Sequence, residues 1–419
     1  MSVLGLTLDY GPFGFLDRYD PDFICNGSDD SGRYDYKGQP EICRWNCEKL
    51  AEALRPLLPE ARGRRAVAEV WEPEYKRTYL ALFRRKLGLL PLSPLGGQRQ
   101  QQQQQGAGAA SPAAPAAPAE EEADDPESEA DLALVSSLLA VMAESGADFT
   151  NTFRSLSRFP TPPPGSDPAS PEVLFAGGVL DYLVQQAADV ATLAEAAAPR
   201  IPPGNLAMLT LMETKNRDLL LQMGVTPQLL ATERARQRRS EELRRLTPET
   251  KRQRDEQRWR QWLGEYGGRL QRGAAAGVGE AERVAVMKAT NPRFILRNWI
   301  AQQAIEKAEQ GDFSEVARVY ALLRNPFSDA DISDLLASSS ETAATRGGAA
   351  VEAAGEASSS TAAAAVAAAA PPTGPSEAKA TGGGGDGGAA AARGVACSLP
   401  MYDGQPPEWA KKLCVTCSS

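Results

Sequence analysis

Two long low-complexity stretches limit how much of this 419-residue chain can fold. The first, residues 96–130, contains a glutamine run at residues 100–105, then Ala/Pro repeats and a cluster of acidic residues. The second, residues 338–395, consists almost wholly of Ala, Gly, Ser and Thr. Such segments bury too little apolar surface to offset a backbone entropy cost of about 1–2 kcal/mol per ordered residue. We therefore predict disordered insertions at both places and a folded core smaller than the length suggests.

Outside these stretches, apolar residues recur mainly with the spacing of an α-helix, which predicts a mainly α-helical fold. An apolar run at residues 3–8, ended by Gly and Pro, is the clearest strand pattern. The ordered parts are expected at residues 1–95 and 131–337, followed after the second insertion by a tail at residues 396–419. The predicted helices cover residues 40–58, 71–90, 131–142 and 173–198, a segment that starts near Asn291 and Pro292 and carries Phe294, Ile295 and Trp299, and two short helices in residues 312–336 separated at Asn325 and Pro326.

The charge distribution argues against a general nucleic-acid binder. The formal net charge is −9, whereas a protein that binds nucleic acid needs an electropositive surface for the phosphates. Residues 231–272 are a local exception, with thirteen basic and seven acidic side chains. Their charges alternate in sign, which is typical of an exposed helix with i,i+4 ion pairs. A polyanion-binding patch is the alternative interpretation of this stretch.

The sequence contains no histidine. This excludes a Ser-His-Asp triad, a Cys-His dyad and a His-ligated zinc site within the chain. The six cysteines are unevenly spaced, which indicates intracellular usage rather than a disulfide scaffold. No apolar run reaches the ~18–20 residues of a membrane-spanning helix, and the N-terminus lacks the pattern of a signal peptide. We therefore expect a soluble chain without a membrane span.

Asp9 is the strongest candidate for chemistry, because it ends the apolar run and is followed by Tyr10 and Gly11. Kinases place a carboxylate after a strand and before an aromatic residue and a glycine, where it ligates Mg²⁺ on the nucleotide phosphates. The tripeptide alone is a weak pattern. An Asp that simply caps a turn is therefore the alternative.

Longer motifs resemble the selenoprotein O family. They are GLTLDYGPFGFLDRYDPD at residues 5–22, DFTNTF at 148–153, NPRFILRNWIA at 291–301, GDFS at 311–314, and PPEWA and CVTCSS at 406–410 and 414–419. Shorter matches at residues 25–46 lie between them. The resemblance covers the chain from end to end apart from the low-complexity insertions.

The resemblance implies that the chain is the C-terminal lobe of a protein-kinase-like (pseudokinase) fold with protein adenylyltransferase activity, in which AMP passes from ATP to a hydroxyl group of a protein. It implies that Asp9 ligates Mg²⁺ and contacts ATP, and that the partners are proteins modified on Ser, Thr or Tyr. In the family, an Asp-Asn pair precedes the first motif as proton acceptor and second metal ligand. Here Met1 occupies the start, so we expect this pair and the ATP-binding lobe to be missing. The chain alone is then expected to be inactive, with no catalytic proton acceptor of its own.

Cys414 and Cys417 have CxxC spacing, which allows a disulfide, metal ligation or a thiol of low pKa. Two unpaired tail thiols are the alternative. The resemblance implies a redox pair that regulates the enzyme, since many eukaryotic members carry selenocysteine at the position of Cys417. Cys43 and Cys47, one helical turn apart, are interpreted as ordinary packed or surface thiols.

Two hypotheses of different classes follow. The first is the C-terminal lobe of a protein adenylyltransferase, expected by resemblance to be mitochondrial and to use Mg²⁺ and ATP. The second is a noncatalytic helical interaction module, or a thiol-redox module, made from a truncated gene product. Trp45 and Trp299 lie on apolar helical faces and are expected in the core rather than stacked on a ligand.

Overall fold

The computed structural model describes residues 14–29, 32–89, 126–331, 333–335, 406–407, 409–410 and 413. These residues are mainly α-helical and contain only isolated β-bridges, which confirms the predicted mainly α class. The chain divides into two compact units, one formed by residues 1–328 and 402–419 and the other by residues 329–401. The described part of the second unit contains one helical turn, at residues 333–335. The predicted strand at residues 3–8 and most of both low-complexity stretches lie outside the described residues.

The helices of the larger unit account for most of its described residues. None of the described helices is long and apolar enough to cross a membrane. The last of them ends at Arg324, directly before the break predicted at Asn325 and Pro326. The helices are α1 (Gln39–Ala53), α2 (Glu60–Leu87), α3 (Pro126–Ser145), α4 (Phe149–Ser155), α5 (Pro171–Leu174), α6 (Val179–Gln185), α7 (Val190–Ala196), α8 (Pro203–Lys215), α9 (Arg217–Gln222), α10 (Pro227–Arg244), α11 (Pro248–Ala275), α12 (Glu280–Thr290), α13 (Asn298–Glu309) and α14 (Ser314–Arg324).

Helix α2 is longer than its apolar pattern predicts. It begins at Glu60, well before the predicted start at residue 71, because its first turns are mostly exposed and carry no apolar stripe. It ends at Gly88, whose φ of 64° lies in the left-handed region that favours glycine. A Cβ at this position would lie 2.6 Å from Cγ of Arg283 on α12. The end of α2 is therefore fixed by glycine and packed closely against α12.

Helix α3 contains the segment predicted to be helical at residues 131–142, but it begins at Pro126. Its first turn therefore falls inside the stretch expected to be disordered. Two glutamates in that turn interact favourably with the positive end of the helix dipole. Farther along, Val135, Leu138 and Met142 are fully buried in the main hydrophobic core.

The single helix predicted over residues 173–198 is wrong, since the chain forms the short helices α5, α6 and α7 there. Gly177 and Gly178 have φ angles of 69° and 64°, and these left-handed conformations interrupt the helix between α5 and α6. Asp189 then starts α7 as its N-cap, because its carboxylate accepts a hydrogen bond from the backbone N–H of Thr192 at 2.7 Å. Apolar spacing alone therefore overestimates helix length in this region.

The charged stretch at residues 231–272 spans two helices with different surroundings. Pro248 begins α11 and separates it from α10. Helix α10 is largely exposed, as predicted. Helix α11 instead buries Trp259, Trp262 and Tyr266 in the main core, so the prediction of an exposed helix is wrong for this half.

Helix α11 connects α2 and α3 through its buried aromatic side chains. The indole N–H of Trp262 donates to the backbone oxygen of Leu134 at 3.1 Å, and the hydroxyl of Tyr266 donates to the backbone oxygen of Leu87 at 2.7 Å. The two aromatic rings stack with centroids 5.0 Å apart. Their polar atoms are thereby satisfied inside the core, as buried Trp and Tyr require.

A buried ion-pair cluster joins the same three helices. Asp131 on α3 is 0% exposed. Its Oδ2 accepts a hydrogen bond from Nε of Arg84 on α2, and its Oδ1 accepts one from Nε of Arg269 on α11, each at 2.7 Å. Losing one partner of such a cluster leaves an uncompensated buried charge, so it holds these helices in one arrangement.

The connection between α12 and α13 corrects the prediction for this motif. Helix α12 ends directly before Asn291 and Pro292, where a turn or helix start is predicted. Helix α13 begins only at Asn298, so Phe294 and Ile295 are buried in an irregular connection and not in a helix. Helical spacing of apolar residues therefore continues here through a segment that is not helical.

Candidate functional site

A cavity of about 510 Å³ lies beside the first described residues of the chain. Gly14, Phe15 and Leu16 form one side. The other lining residues belong to the end of α2, the start of α4 and the α12–α13 connection, together with Phe23, Cys25, Tyr34, Tyr36 and Gln39. The cavity therefore gathers parts of three motifs that lie far apart in the sequence.

Aromatic rings form much of the cavity wall. Phe149 and Phe153 of α4 lie with ring centroids 5.2 Å apart, and Tyr36 meets Phe149 at 6.2 Å. At the rim, Phe15 and Tyr34 are 42% and 45% exposed. The site is thus apolar inside and open to a ligand that brings an apolar or aromatic group.

Lys86 places a positive charge in this aromatic wall. Its ammonium lies 4.8 Å from the ring centroid of Phe153 and 5.9 Å from that of Phe149. It donates a hydrogen bond to Oδ1 of Asn291 at 3.3 Å. Burial lowers the pKa of Lys86 from its usual value. Among the described residues, no carboxylate forms an ion pair with this ammonium, so an incoming anion would find an available cation.

Asn291 is held in place from several directions. Its Nδ2 donates to the backbone oxygen of Lys86 at 2.8 Å. Nη1 of Arg154 on α4 donates to the backbone oxygens of Lys288 and Asn291 at 2.8 and 2.9 Å. Arg154 therefore satisfies carbonyls at the C-terminal end of α12. The result is a fixed amide beside the Lys86 ammonium.

Arg297 fixes the first described loop segment of the chain, which begins at Gly14. Its side chain is 3% exposed. Nη1 donates to Oδ1 of Asp17 at 3.0 Å, and Nη2 donates to Oδ2 of Asp148 at 2.7 Å. Burial raises the pKa of Asp148, and the charge of Arg297 opposes that rise. Asp148 also caps α4 by accepting from the backbone N–H of Asn151 at 2.8 Å. One guanidinium therefore links the loop segment, α4 and α13.

The predicted site residues Asp9, Cys414 and Cys417 lie outside the described residues. Gly14 is the first described residue after Asp9, and it lines the cavity. Five residues of fully extended chain span at most about 18 Å, which is the upper limit for the distance from Asp9 to Gly14. A Cβ on Gly14 would lie 2.9 Å from Nδ2 of Asn298, so this loop packs closely against the start of α13.

The residues expected to be structural are placed in part as predicted. Cys43 and Cys47 are free thiols, exposed and half-buried respectively. Trp299 is buried as expected, at 4% exposure, but Trp45 is 41% exposed, so its prediction as a core residue is wrong. The guanidinium of Arg33 lies 4.7 Å from the ring centroid of Trp45, an arrangement typical of a cation–π contact at the surface.

The sequence assigns no role to Lys86, Asp148, Asn291 or Arg297, although the last three lie inside the quoted motifs. These residues could have been singled out from the sequence because they are charged or amide side chains within mostly apolar segments. Such groups are seldom buried without a partner. No group of three or more Cys, Asp or Glu suited to a metal occurs among the residues that the structure describes.

A family model described as "Protein adenylyltransferase SelO" matches residues 1–324, and the chain therefore belongs to the SelO family. This agrees with the resemblance carried by the sequence motifs.

Three relatives illustrate the range of the family. The mitochondrial protein adenylyltransferase SelO of Homo sapiens is 42% identical over 334 residues, which are 78% of this chain and 43% of the human protein. The mitochondrial protein adenylyltransferase SelO-1 of Danio rerio is 42% identical over 332 residues, covering 78% and 42% of the two chains. The protein nucleotidyltransferase YdiU of Myxococcus xanthus is 32% identical over 329 residues, covering 78% and 43%. The chain thus spans less than half the length of these relatives.

Proposed function

We propose that this chain forms the C-terminal, helical part of a protein adenylyltransferase with a kinase-like fold, which passes AMP from ATP to Ser, Thr or Tyr hydroxyl groups of proteins. The match of residues 1–324 to the SelO family is the observation that carries this proposal. The names of the relatives, adenylyltransferase and nucleotidyltransferase, support the same reaction class. The wholly helical character of the described elements is compatible with the C-terminal lobe of such a fold.

Asp9 is the ligand that this chain offers to Mg²⁺ and ATP. A carboxylate oxygen is the hard donor that Mg²⁺ prefers, so the chemistry of this residue fits the ion. When bound, the ion neutralises charge on the phosphates. The chain's own contribution is to present the carboxylate, and the Arg297 contacts to Asp17 and Asp148 support this role because they fix the segment eight residues downstream.

The isolated chain does not transfer AMP in this proposal. Nucleotide transfer depends on positioning and on neutralising charge with several groups at once. The family resemblance assigns one of those groups, Asp9, to this sequence. Within the larger unit, the segments predicted to be ordered on either side of the first low-complexity stretch are joined by the ion pair of Arg84 and Asp131.

Cys414 and Cys417 are proposed as a thiol pair whose oxidation regulates the enzyme. The CxxC spacing permits a disulfide between them. Peptide mapping after mild oxidation is expected to find the 414–417 linkage, and mapping that finds only free thiols at both positions contradicts the proposal. Because the human and Danio rerio relatives are named mitochondrial, we also propose this location for the whole protein.

The activity is tested with ATP labelled at the α-phosphate. In one arm the purified chain is incubated with Mg²⁺ and acceptor proteins. In the other, residues 1–324 replace the matched region of the human relative. We expect the chimera to label proteins and the chain alone to label none. Labelling by the chain alone contradicts the proposed inactivity, and a folded chimera without activity contradicts the proposed function.

A further inference from the structure

The cavity at the end of α2 combines an apolar wall with the positive charge of Lys86, with which no carboxylate of the described residues forms an ion pair. The ring centroids of Phe149 and Phe153 lie 5.9 and 4.8 Å from the Lys86 ammonium, which also donates to the amide oxygen of Asn291. A lone desolvated cation is costly unless an opposite charge reaches it. The geometry therefore favours a ligand with one negative charge and an adjoining apolar or aromatic group.

The position of the cavity restricts which ligand reaches it. Gly14 lies at its edge and only five residues after Asp9, so the chain between these two residues spans at most about 18 Å. An extended peptide advances about 3.4 Å per residue. If the acceptor hydroxyl lies near the nucleotide held at Asp9, a side chain within about five residues of that hydroxyl can enter the cavity.

We propose that this cavity binds an acidic side chain, with an apolar or aromatic neighbour, that lies within a few residues of the modified hydroxyl in the protein substrate. The inference rests on the proposed function and deepens it, since it names a class of acceptor sequence. Lys86 forms the ion pair with the acidic side chain, Asn291 fixes the direction of the ammonium, and Phe149 and Phe153 receive the apolar neighbour.

A nucleotide phosphate fits this cavity less well. A triphosphate carries several charges and is normally held by multiple cations or by a row of backbone N–H groups. Among the described lining residues, the polar side chains are one lysine and neutral groups, and the wall is largely aromatic. One charge on Lys86 matches one carboxylate.

The test measures peptide binding to the full 419-residue chain without any transfer reaction. The probe is a fluorescein-labelled 11-residue peptide with a central Ser and a Phe-Glu pair three residues later. The matched peptide carries Phe-Gln. Anisotropy titrations are run with the unchanged chain, with Lys86→Met, and with Lys215→Met, which removes an exposed lysine of α8. Circular dichroism confirms that each variant is folded.

The Glu peptide is expected to bind at least about tenfold more tightly than the Gln peptide, the size expected for a hydrogen bond to a charged group. Lys86→Met removes that preference and Lys215→Met keeps it. Equal binding of the two peptides, no binding of either below about 1 mM, or a preference that survives Lys86→Met overturns the proposal.

A competition arm separates the acceptor from the nucleotide. Mg·ATP added in excess is expected to leave the Glu peptide bound, and its displacement by Mg·ATP assigns the cation to the nucleotide and overturns the proposal. Since no AMP transfer is measured here, failure of the proposed function would appear in the chimera assay and failure of this inference in the peptide titration.

Discussion

Arg84 and Lys86 lie two residues apart on α2, yet their charges have different surroundings. Arg84 reaches Asp131, which also binds Arg269, so its charge is neutralised within the core. Lys86 reaches a neutral amide and two aromatic rings. A cation paired in this way stabilises the fold, whereas a cation left without a carboxylate reduces stability and keeps the capacity to bind an anion. The roles of the Arg84 and Lys86 charges can be tested with separate substitutions.

The largest effect on stability is expected from Asp131→Asn. The substitution leaves Arg84 and Arg269 buried without their shared carboxylate, which lowers the free energy of unfolding by about 3–5 kcal/mol. Urea denaturation followed by circular dichroism measures the change. Glu129→Gln, at an exposed position of the same helix, is the control and is expected to stay within about 0.5 kcal/mol. A loss at Asp131 no larger than the control would show that the cluster does not hold the helices.

Arg297→Met is expected to lower the free energy of unfolding by about 2–4 kcal/mol, less than Asp131→Asn because Asp17 is partly exposed. Near the cavity, the substitution is also expected to increase local opening of the segment around Asp17, since Arg297 fixes that residue. Hydrogen exchange of the Tyr19 amide, which bonds to the backbone oxygen of Ala147 at 2.8 Å, reports on this segment.

The conservative variant Arg297→Lys serves as the matched comparison. A lysine lacks the forked guanidinium that contacts two carboxylates at once, so it is expected to restore little of the protection at Tyr19. Full protection of the Tyr19 amide in Arg297→Met would contradict the anchoring role.

Lys86→Met is expected to change the free energy of unfolding by no more than about 1 kcal/mol, with either no effect or a gain. The reason is that no carboxylate among the described residues pairs with the ammonium, and methionine keeps most of the apolar stem. Urea denaturation of Lys86→Met and of Arg84→Met compares the two changes in the free energy of unfolding directly. A loss at Lys86 as large as the loss at Arg84 would show that Lys86 acts mainly in holding the fold.

The pH dependence of peptide binding gives the smallest of these effects. Lys86 is charged below its pKa and neutral above it, and burial moves that pKa below the usual value of a lysine. The preference for the Glu peptide is therefore expected to fall as pH rises, at lower pH than for an ordinary lysine. The other titratable groups at the cavity are Cys25, Tyr34 and Tyr36. Burial raises the pKa of Cys25 and of Tyr36.

Substitutions of Cys25 and Tyr36 show which side chain causes the pH dependence of peptide binding. Cys25→Ser and Tyr36→Phe are expected to leave the pH profile of the Glu-peptide preference unchanged. If either substitution shifts the pH at which the preference for the Glu peptide falls, the titrating group is that side chain and not Lys86.

Local patterns in the sequence predict the class of the fold and several helix ends. The α-helical class, the break at Asn325 and the turn at Asn291 and Pro292 follow from apolar spacing and proline, which act within a few residues. The short helices α5 to α7 do not, because Gly177 and Gly178 interrupt the helix while the apolar spacing continues. The sequence does not predict the burial of α11, because its many charged residues indicate an exposed helix although Trp259 and Tyr266 form an apolar face.

The contacts at and around the candidate site are harder to predict from the sequence than the fold class, because they join residues that lie far apart in the chain. Asp131 meets Arg269 at a separation of 138 residues, and Lys86 meets Asn291 at a separation of 205. Nothing local in either segment specifies the partner. The family resemblance supplies Asp9 and its proposed role, whereas Lys86 is found only when α2, α4 and the α12–α13 connection are brought together.

The most direct test of the account is AMP transfer by the chimera with and without Asp9. With ATP labelled at the α-phosphate, Asp9→Asn is expected to reduce protein labelling by at least about 100-fold, the size of loss typical when one group that stabilises transition-state charge is removed. Asp218→Asn, at an exposed position of α9, is expected to label as the unchanged chimera does. Labelling that persists in Asp9→Asn would contradict the claim that this chain supplies the metal-binding carboxylate of a protein adenylyltransferase.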